Sequence, residues 1–280
     1  MNKILITGSD GFIGKNLVNK LIQKKKYKIF EIKNSKNDIL NKKSLLKIPK
    51  VDYVIHLASK NLLTNKSNDT KFLLNNIEIT KKIIEFCLKN NCKLIFLSSY
   101  IYGNTKIPTS EKNIKNPLNI YSLSKSLSED ICRYYVKTQK LECLILRLFN
   151  LYGKYQNKKF LIPKIIEQVE NNKDIIINNT SPFRDLLYID DFINLIEKII
   201  KKNITSEIYN VGSGKSYGVK KIIKTIQNEY KTNLKVINKN IKKDFETKIT
   251  KANIDKIKRK YNWKPKIDLS EGIKKIKNER

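Results

Sequence analysis

A glycine-rich turn near the amino terminus constrains the fold of this chain more than any other feature. Residues 3–7 form a short apolar run rich in β-branched side chains, which predicts a buried strand. The sequence Gly-Ser-Asp-Gly-Phe-Ile-Gly follows at residues 8–14 and opens an apolar pattern of helical spacing. Gly8 can make the tight turn, Gly11 lets backbone N–H groups approach a pyrophosphate, and Gly14 lets the helix lie close to the sheet. The unit predicts the first half of a dinucleotide-binding βαβ motif.

The alternation of strands and helices continues along the chain and predicts the fold class. Further apolar strands are predicted at residues 28–32, 51–58, 93–97, 141–148 and 208–211. We expect an α/β protein with a Rossmann-type, doubly wound parallel sheet and a smaller, mixed α/β substrate-binding lobe in the C-terminal part. The predicted dinucleotide-binding domain comprises residues 1–150 plus about 184–211, and the predicted lobe comprises about 151–183 plus 212–280.

Composition places the chain among soluble cytoplasmic proteins. Its 280 residues are 40% hydrophobic, and no apolar run approaches the ~20 residues that cross a bilayer. Met1 directly precedes the first strand, which leaves no room for a signal peptide. Cys87, Cys92, Cys132 and Cys143 have no paired spacing, so we expect buried reduced thiols and neither a disulfide framework nor a metal site.

The formal net charge of +32 raises the question of a nucleic-acid partner. The lysines, however, are spread over nearly every segment instead of forming one basic stripe. We therefore do not expect specific nucleic-acid binding, although the positive field should attract anionic ligands such as nucleoside diphosphates.

Three side chains in the middle of the chain predict acid–base chemistry. Ser98 ends the strand predicted at 93–97, at the sheet edge where open α/β folds bind ligands. Tyr121 and Lys125 lie four residues apart, which puts both on one face of a helix. A neighbouring ammonium lowers the pKa of a phenol from its usual value of about 10, which would make Tyr121 an acid or base near neutral pH. A solvated Tyr/Lys pair would explain those two residues alone, but not their combination with Ser98 and the glycine turn.

Several motifs occur along the chain in the order in which one known family has them. They are Thr7-Gly8-Ser9-Asp10-Gly11-Phe12-Ile13-Gly14, His56-Leu57-Ala58, Asn76-x-x-x-Thr80, Tyr121-x-x-x-Lys125, Arg147-Leu148-Phe149-Asn150-Leu151-Tyr152-Gly153 and Arg184-Asp185. This set resembles the extended short-chain dehydrogenase/reductases, the family of nucleotide-sugar epimerases, dehydratases and reductases. The resemblance covers the whole chain.

The resemblance implies a set of residues around a nicotinamide dinucleotide. The implied cofactor-binding residues are Gly8, Asp10, Gly11, Phe12, Ile13, Gly14, Lys33, Asp38, Ile39, Leu57, Ala58, Asn76, Tyr121 and Lys125. Asn76 would steady the active-site end of the sheet, and Asp38-Ile39 would meet the adenine, although Asp38 could equally be a helix N-cap.

The end of the second strand bears on the choice between NAD and NADP. An acidic residue there would favour NAD, whereas basic residues would favour the 2′-phosphate of NADP. Lys33 and Asn34 occupy that position, and Glu31 comes too early. The sequence therefore favours NADP, unless Lys33 is only a solvated surface charge.

The family resemblance also implies the substrate contacts and the partners. Ser98, Ser99, Tyr121, Asn150 and Arg184 would contact a nucleoside-diphosphate sugar, although Arg184 could instead form a salt bridge with Asp185 or Asp190. A homodimer through the helices of Asn76 and Tyr121 is the family expectation.

Two further motifs are expected to carry no chemistry. Residues 212–216, Gly-Ser-Gly-Lys-Ser, look like the end of a P-loop, but Tyr209 stands where that motif needs glycine. His56 is the only histidine, so it cannot anchor a zinc site with a second imidazole and should be a packed residue at a strand end.

The implied reaction is hydride transfer at a sugar C4, with Ser98, Tyr121 and Lys125 as the catalytic residues. Dehydratases of the family carry an Asp-Glu pair where this chain has Ser99 and Tyr100, and the Cys/His pair of the epimerising reductases is missing. A 4-epimerase resembling UDP-glucose 4-epimerase and an NADPH-dependent 4-keto-6-deoxysugar reductase remain, with the epimerase ranked first. Such enzymes serve polysaccharide biosynthesis. An alternative of another class is a catalytically idle family member that binds RNA.

Overall fold

The computed structural model describes residues 1–33, 39, 42–60, 69–241 and 246–279, and these divide into two compact units. Unit 1 comprises Met1–Ile101, Lys115–Leu148 and Ile196–Tyr209. Unit 2 comprises Tyr102–Ile114, Phe149–Leu195 and Asn210–Arg280.

The secondary structure alternates between strands and helices, as the hydrophobic pattern predicts. The strands are β1 (Asn2–Thr7), β2 (Tyr27–Ile32), β3 (Tyr53–His56), β4 (Lys93–Ser99), β5 (Cys143–Leu148), β6 (Asn150–Tyr152), β7 (Ile175–Ile177), β8 (Phe183–Tyr188), β9 (Ile208–Val211), β10 (Ser216–Gly218) and β11 (Val236–Asn238). The helices are α1 (Phe12–Gln23), α2 (Lys42–Leu46), α3 (Asp69–Asn90), α4 (Ile120–Gln139), α5 (Leu161–Glu170), α6 (Ile189–Lys202), α7 (Val219–Tyr230), α8 (Asp255–Tyr261) and α9 (Leu269–Asn278).

A six-stranded sheet in the order β2-β1-β3-β4-β5-β9 forms the centre of the fold. The pairings from β2 through β5 are all parallel, and the register sets Thr7 opposite His56. The inner strands are almost continuously apolar because helices cover both faces of such a sheet; all six residues of β5, for example, are buried. This arrangement confirms the predicted Rossmann-type fold.

Unit 2 contains two small sheets, which confirm the expected mixed α/β character of the C-terminal part. In one of them β8 pairs in parallel with β6 and antiparallel with β10, and in the other β11 pairs in parallel with β7. No helix in the described ranges is long and apolar enough to span a bilayer.

The largest differences between the observed and the sequence-based boundaries of the units lie in two segments. Residues 184–195 cluster with unit 2 because β8 pairs with β6 and β10. Residues 102–114 also cluster with unit 2, where Thr109 bridges to Ala252. Both pairings join residues far apart in sequence, and hydrophobic periodicity gives no signal for them.

Candidate active site

The glycine turn between β1 and α1 has the geometry of a pyrophosphate cradle. Gly8 has φ of +68°, and its N–H donates to the carbonyl of Ile32 over 2.8 Å. A Cβ on Gly14 would lie 2.3 Å from the carbonyl oxygen of Gly8, so only glycine fits there. Helix α1 begins after Gly11 with no acidic residue in its first turn. Its first N–H groups and its dipole therefore suit an anion, and these residues fit the phosphates of a dinucleotide.

The end of β3 lies directly against this turn. A Cβ on Gly8 would be 2.9 Å from the backbone nitrogen of Ala58. The N–H of Ala58 donates to Oγ1 of Thr7 over 3.2 Å, and the N–H of Leu57 donates to the Thr7 carbonyl. The cofactor residues predicted at 8–14 and at 57–58 are thus brought together within unit 1.

Unit 1 also holds all three predicted catalytic residues. Ser98 lies near the end of β4, while Tyr121 is in the first turn of α4 and Lys125 one turn later. A capping box fixes the start of α4: the N–H of Ser122 donates to Oδ1 of Asn119, and the N–H of Asn119 donates to Oγ of Ser122.

The hydroxyl of Ser98 is buried and has no hydrogen-bond partner among the described residues. A buried hydroxyl without a partner costs free energy, so it is normally satisfied by protein, water or ligand. Its place at the carboxyl end of a central parallel strand suits contact with a ligand oxygen.

The electrostatics of Tyr121 differ from the sequence prediction. Burial raises the pKa of the phenol, and hydrogen bonds from the side chains of Ser59 and Ser99 act in the opposite direction. The prediction of a Tyr121 pKa below its usual value is therefore wrong, because the effect of burial is the largest. The Lys125 Nζ donates to the carbonyl of Leu97 over 3.0 Å and lies 5.9 Å from the centroid of the Tyr121 ring.

The pKa of the Lys125 ammonium also differs strongly from its usual value. It is only 4% exposed, and its burial lowers the pKa of the ammonium to about 8, although Cys132 and Glu129 act in the opposite direction. Because an unperturbed lysine titrates near 10.4, Lys125 can change protonation state close to physiological pH.

Asn76 connects the segment after β3 to helix α4. Its Oδ1 accepts from the N–H of Lys60 over 2.8 Å, and its Nδ2 donates both to the Lys60 carbonyl and to Oγ of Ser124. Ser124 in turn donates to the carbonyl of Tyr121 over 2.8 Å. Through these contacts Asn76 could steady this end of the sheet, as expected. A direct contact between Asn76 and the cofactor stays a prediction.

Comparisons with known proteins now give the family. A profile of the NAD dependent epimerase/dehydratase family matches residues 4–212. The chain belongs to this family. The resemblance inferred from the motifs is therefore confirmed, and the family is one of NAD(P)-dependent enzymes.

Individual relatives cover most or all of the chain. It is 32% identical over 234 residues to GDP-6-deoxy-D-talose 4-dehydrogenase from Aggregatibacter actinomycetemcomitans, covering 80% of this chain and 79% of that protein. It is 30% identical over 311 residues to dTDP-4-dehydro-6-deoxyglucose reductase from Escherichia coli, covering 98% and 96%. The crystal structure of UDP-glucuronic acid 4-epimerase from Bacillus cereus, in complex with UDP-glucuronic acid and NAD, matches with a TM-score of 0.90 and 27% identity, covering 99% and 100%.

The cofactor-selecting residues of this family member are only partly described. Asn34 and Asp38 lie outside the described residues. Lys33 is half-exposed, with its Nζ 3.9 Å from a carboxylate oxygen of Glu31, and Ile39 is buried in the core of unit 1. The loose Lys33–Glu31 pair leaves the preference for NADP as a prediction.

The predicted substrate residues Asn150 and Arg184 lie in unit 2. Nδ2 of Asn150 donates to the Asp185 carbonyl and to Oγ1 of Thr250. Arg184 forms a salt bridge with Glu246 at 2.8 Å, a partner that the sequence analysis did not name. Contact of Arg184 with a phosphate remains a prediction.

The P-loop-like turn of residues 212–216 encloses a carboxylate of the protein itself. Asp185, fully buried, accepts hydrogen bonds from the N–H groups of Ser213, Gly214 and Ala252 and from the Ser213 hydroxyl, at 2.6 to 3.0 Å. The N–H groups of Ser213 and Gly214 in this turn are therefore engaged by Asp185.

The structure gives Asp185 a role that the sequence analysis did not predict, as the anchor of this turn. Its hydrogen bonds reach residues 28 to 67 positions away in the chain, so no local sequence pattern indicates them. Ser59, directly after the His-Leu-Ala run, lowers the pKa of Tyr121 against the effect of burial.

Proposed function

We propose that the protein is an NAD(P)-dependent enzyme that acts at C4 of a nucleoside-diphosphate sugar, with 4-epimerisation as its reaction. The observation that supports this most is the combination of a buried, unpartnered Ser98 hydroxyl with the Tyr121 phenol and the Lys125 ammonium in unit 1, which also contains the glycine turn. The whole-length match to a UDP-glucuronic acid 4-epimerase supports the choice of reaction.

The residues of the site have distinct roles in this proposal. The turn at residues 8–14 would hold the pyrophosphate of the dinucleotide, and Leu57 and Ala58 would line its path. The bound dinucleotide supplies the hydride acceptor and donor. Tyr121 takes the proton of the C4 hydroxyl and later returns it, and Ser98 hydrogen-bonds the same oxygen. Lys125 contributes positive charge, which favours the deprotonated phenol.

The side chains after Ser98 argue against dehydration. Elimination across C5 and C6 needs an acid and a base beside the sugar, and Ser99 and Tyr100 supply no carboxylate there. The protein should therefore exchange hydride and proton at C4 without loss of water.

A second candidate is an NADPH-dependent 4-keto reductase. Lys33 at the end of β2 favours this candidate because a cation there suits a 2′-phosphate. Two relatives whose names describe dehydrogenation or reduction at C4 also favour it.

We further propose that two copies associate through α3 and α4. These helices pack side by side and carry exposed apolar side chains at Leu74, Leu127 and Tyr134.

The two candidate reactions differ in the fate of the dinucleotide. An epimerase regenerates its cofactor in each turnover and is expected to retain NAD through purification, whereas a reductase consumes NADPH. Denaturing the purified protein and identifying the released dinucleotide tests this. We expect retained NAD, together with interconversion of UDP-glucose and UDP-galactose or of another C4 pair. Protein that releases no dinucleotide, and that oxidises NADPH with a 4-keto-6-deoxysugar nucleotide, would replace the epimerase with the reductase.

A further inference from the structure

We propose that His56 is a positioning residue: one ring nitrogen supports the dinucleotide turn at residues 8–14, and the other holds the helical turn of Tyr121. This inference rests on the proposed function, because it concerns the two groups that must meet for hydride and proton transfer. All the residues involved lie in unit 1. The role goes beyond that of a packed residue at a strand end.

The hydrogen bonds around His56 assign its tautomer. Its Nδ1 lies 2.8 Å from Oγ1 of Thr7, and its Nε2 lies 3.5 Å from Oγ1 of Thr80. The single hydroxyl proton of Thr80 goes to the Asn76 carbonyl over 2.9 Å, so towards His56 the Thr80 oxygen can only accept. Nε2 therefore carries the ring proton, and Nδ1 accepts from the Thr7 hydroxyl. This assignment also gives the Thr7 proton an acceptor among the described residues, since the Ala58 N–H only donates to Thr7.

The Nδ1 side of His56 supports the dinucleotide turn. Thr7 ends β1 and directly precedes Gly8. Because the Thr7 hydroxyl proton is directed to His56, Oγ1 of Thr7 keeps a lone pair for the N–H of Ala58 at 3.2 Å. A Cβ on Gly8 would lie 2.9 Å from that same nitrogen, so the turn packs directly on the Ala58 backbone. Loss of the Nδ1 acceptor would leave the Thr7 hydroxyl without a fixed orientation and would loosen this support.

The Nε2 side of His56 leads through α3 to α4. Thr80, which accepts from Nε2, donates to the carbonyl of Asn76 one turn earlier on α3. Nδ2 of Asn76 donates to Oγ of Ser124 over 3.1 Å, and Ser124 donates to the carbonyl of Tyr121 over 2.8 Å. The hydrogen bonds that begin at His56 therefore continue to the helical turn that carries the proposed acid–base group.

Two substitutions separate the two nitrogens. In His56→Asn the amide oxygen can replace Nδ1 as the acceptor for Thr7, but no atom replaces Nε2. In His56→Gln the amide nitrogen can replace Nε2 as the donor to Thr80, but the Thr7 hydroxyl loses its acceptor. The first variant therefore breaks only the bond towards α4, and the second only the bond towards the dinucleotide turn.

The two variants should differ in which quantity they change. The dissociation constant is measured by fluorescence titration with NADH and with NADPH, and kcat with UDP-glucose, or with a 4-keto-6-deoxysugar nucleotide if the intact enzyme reduces that instead. For His56→Gln we expect the dissociation constant to rise about fivefold to tenfold, with kcat at saturating dinucleotide within about twofold of the parent. For His56→Asn we expect kcat to fall by about the same factor, with the dissociation constant within about twofold.

A second pair of variants keeps the test independent of any folding defect caused by replacing the imidazole. Thr7→Val should repeat the weaker dinucleotide binding, and Thr80→Val should repeat the lower kcat, because each removes one partner hydroxyl and keeps the side-chain shape. The control Ser126→Ala removes a hydroxyl from a buried position of α4 outside these contacts and should match the parent.

The split between binding and turnover distinguishes positioning from a merely structural role of His56. Equal losses of both quantities in both variants, no loss in either, or any other result without the expected split would overturn the proposal. Full activity of Tyr121→Phe would instead overturn the proposed function, whatever the His56 variants show, so the two failures are distinguishable.

Discussion

The single histidine shows how a residue can be fixed by its surroundings without taking part in chemistry. His56 is fully buried, with Nδ1 2.8 Å from Oγ1 of Thr7 and Nε2 3.5 Å from Oγ1 of Thr80. The hydroxyl of Thr80 also donates to the Asn76 carbonyl. The imidazole thus joins the strand before the glycine turn to helix α3, in agreement with the expectation of a packed residue at a strand end.

The burial of His56 predicts that the protein loses stability in mildly acidic solution. Desolvation, and secondarily the charge of Lys125, lowers the pKa of His56 to about 3. The unfolded chain, with a histidine pKa of about 6.5, binds a proton that the folded chain does not, so stability falls as pH falls below about 6.5. Between pH 7 and pH 5 the loss should be about 2 kcal/mol, measured by urea unfolding.

The matched variant for this prediction is His56→Gln, which keeps a polar group but does not titrate. Its stability at pH 7 should be lower than that of the parent, because the bond to Thr7 is disturbed. Its free energy of unfolding should nevertheless change much less between pH 7 and pH 5. An equally steep change in the variant would mean that carboxylates, not His56, cause the loss.

At the scale of elements, helix α4 is held against the sheet by a buried ion pair. Arg147 of β5 donates to both carboxylate oxygens of Glu129, at 2.7 to 3.1 Å, and both side chains are almost fully buried. Glu129 lies one turn after Lys125, so this pair fixes the helix that carries Tyr121 and Lys125.

Removing one partner of this pair should be costly. Glu129→Ala leaves the Arg147 guanidinium buried without its carboxylate, and we expect a loss of roughly 3–5 kcal/mol in the free energy of unfolding. The double variant Glu129→Leu/Arg147→Met removes both charges and should recover most of that loss. Chemical denaturation of the three proteins measures the effect, and a double variant no more stable than Glu129→Ala would contradict this account of the pair.

The elements of unit 1 could be predicted from the sequence because each has a strong local signal. The run before Gly8, the strand at Lys93–Ser99 and the helix that begins after Asn119 show apolar periodicity or capping residues. The short strands β6, β8 and β10 were missed because three to six residues form a strand only through their pairing partners. Helices α8 and α9 were missed because their many lysines hide a narrow apolar face.

The candidate catalytic residues could also be named from the sequence, but their electrostatics could not be predicted. Spacing places Tyr121 and Lys125 on one helical face, yet it does not show where the ammonium points. The Lys125 Nζ donates to the carbonyl of Leu97, and the side chains of Ser59 and Ser99 lower the pKa of the Tyr121 phenol against the effect of burial. These contacts depend on how β3 and β4 end, which is a tertiary property.

For the whole molecule, the net charge of +32 should act on association rates. A positive field attracts anionic nucleotide sugars, and salt screens it. We expect kcat/KM to fall several-fold between about 50 mM and 500 mM salt, with little change in kcat.

Filter binding of a single-stranded RNA is the matching control. Tight, saturable RNA binding at physiological salt that survives in Tyr121→Phe would favour the alternative of an idle RNA-binding protein.

The most direct test of the central claim is hydride transfer by Tyr121→Phe. The intact enzyme and the variant are loaded with dinucleotide and mixed with the accepted nucleotide sugar, and the nicotinamide absorbance is followed in a single turnover. We predict that the variant is slower by a factor of about 10² to 10⁴, while its affinities for dinucleotide and sugar nucleotide stay within a few-fold of the parent. Equal rates of hydride transfer in the two proteins would contradict the assignment of Tyr121 as the acid–base group.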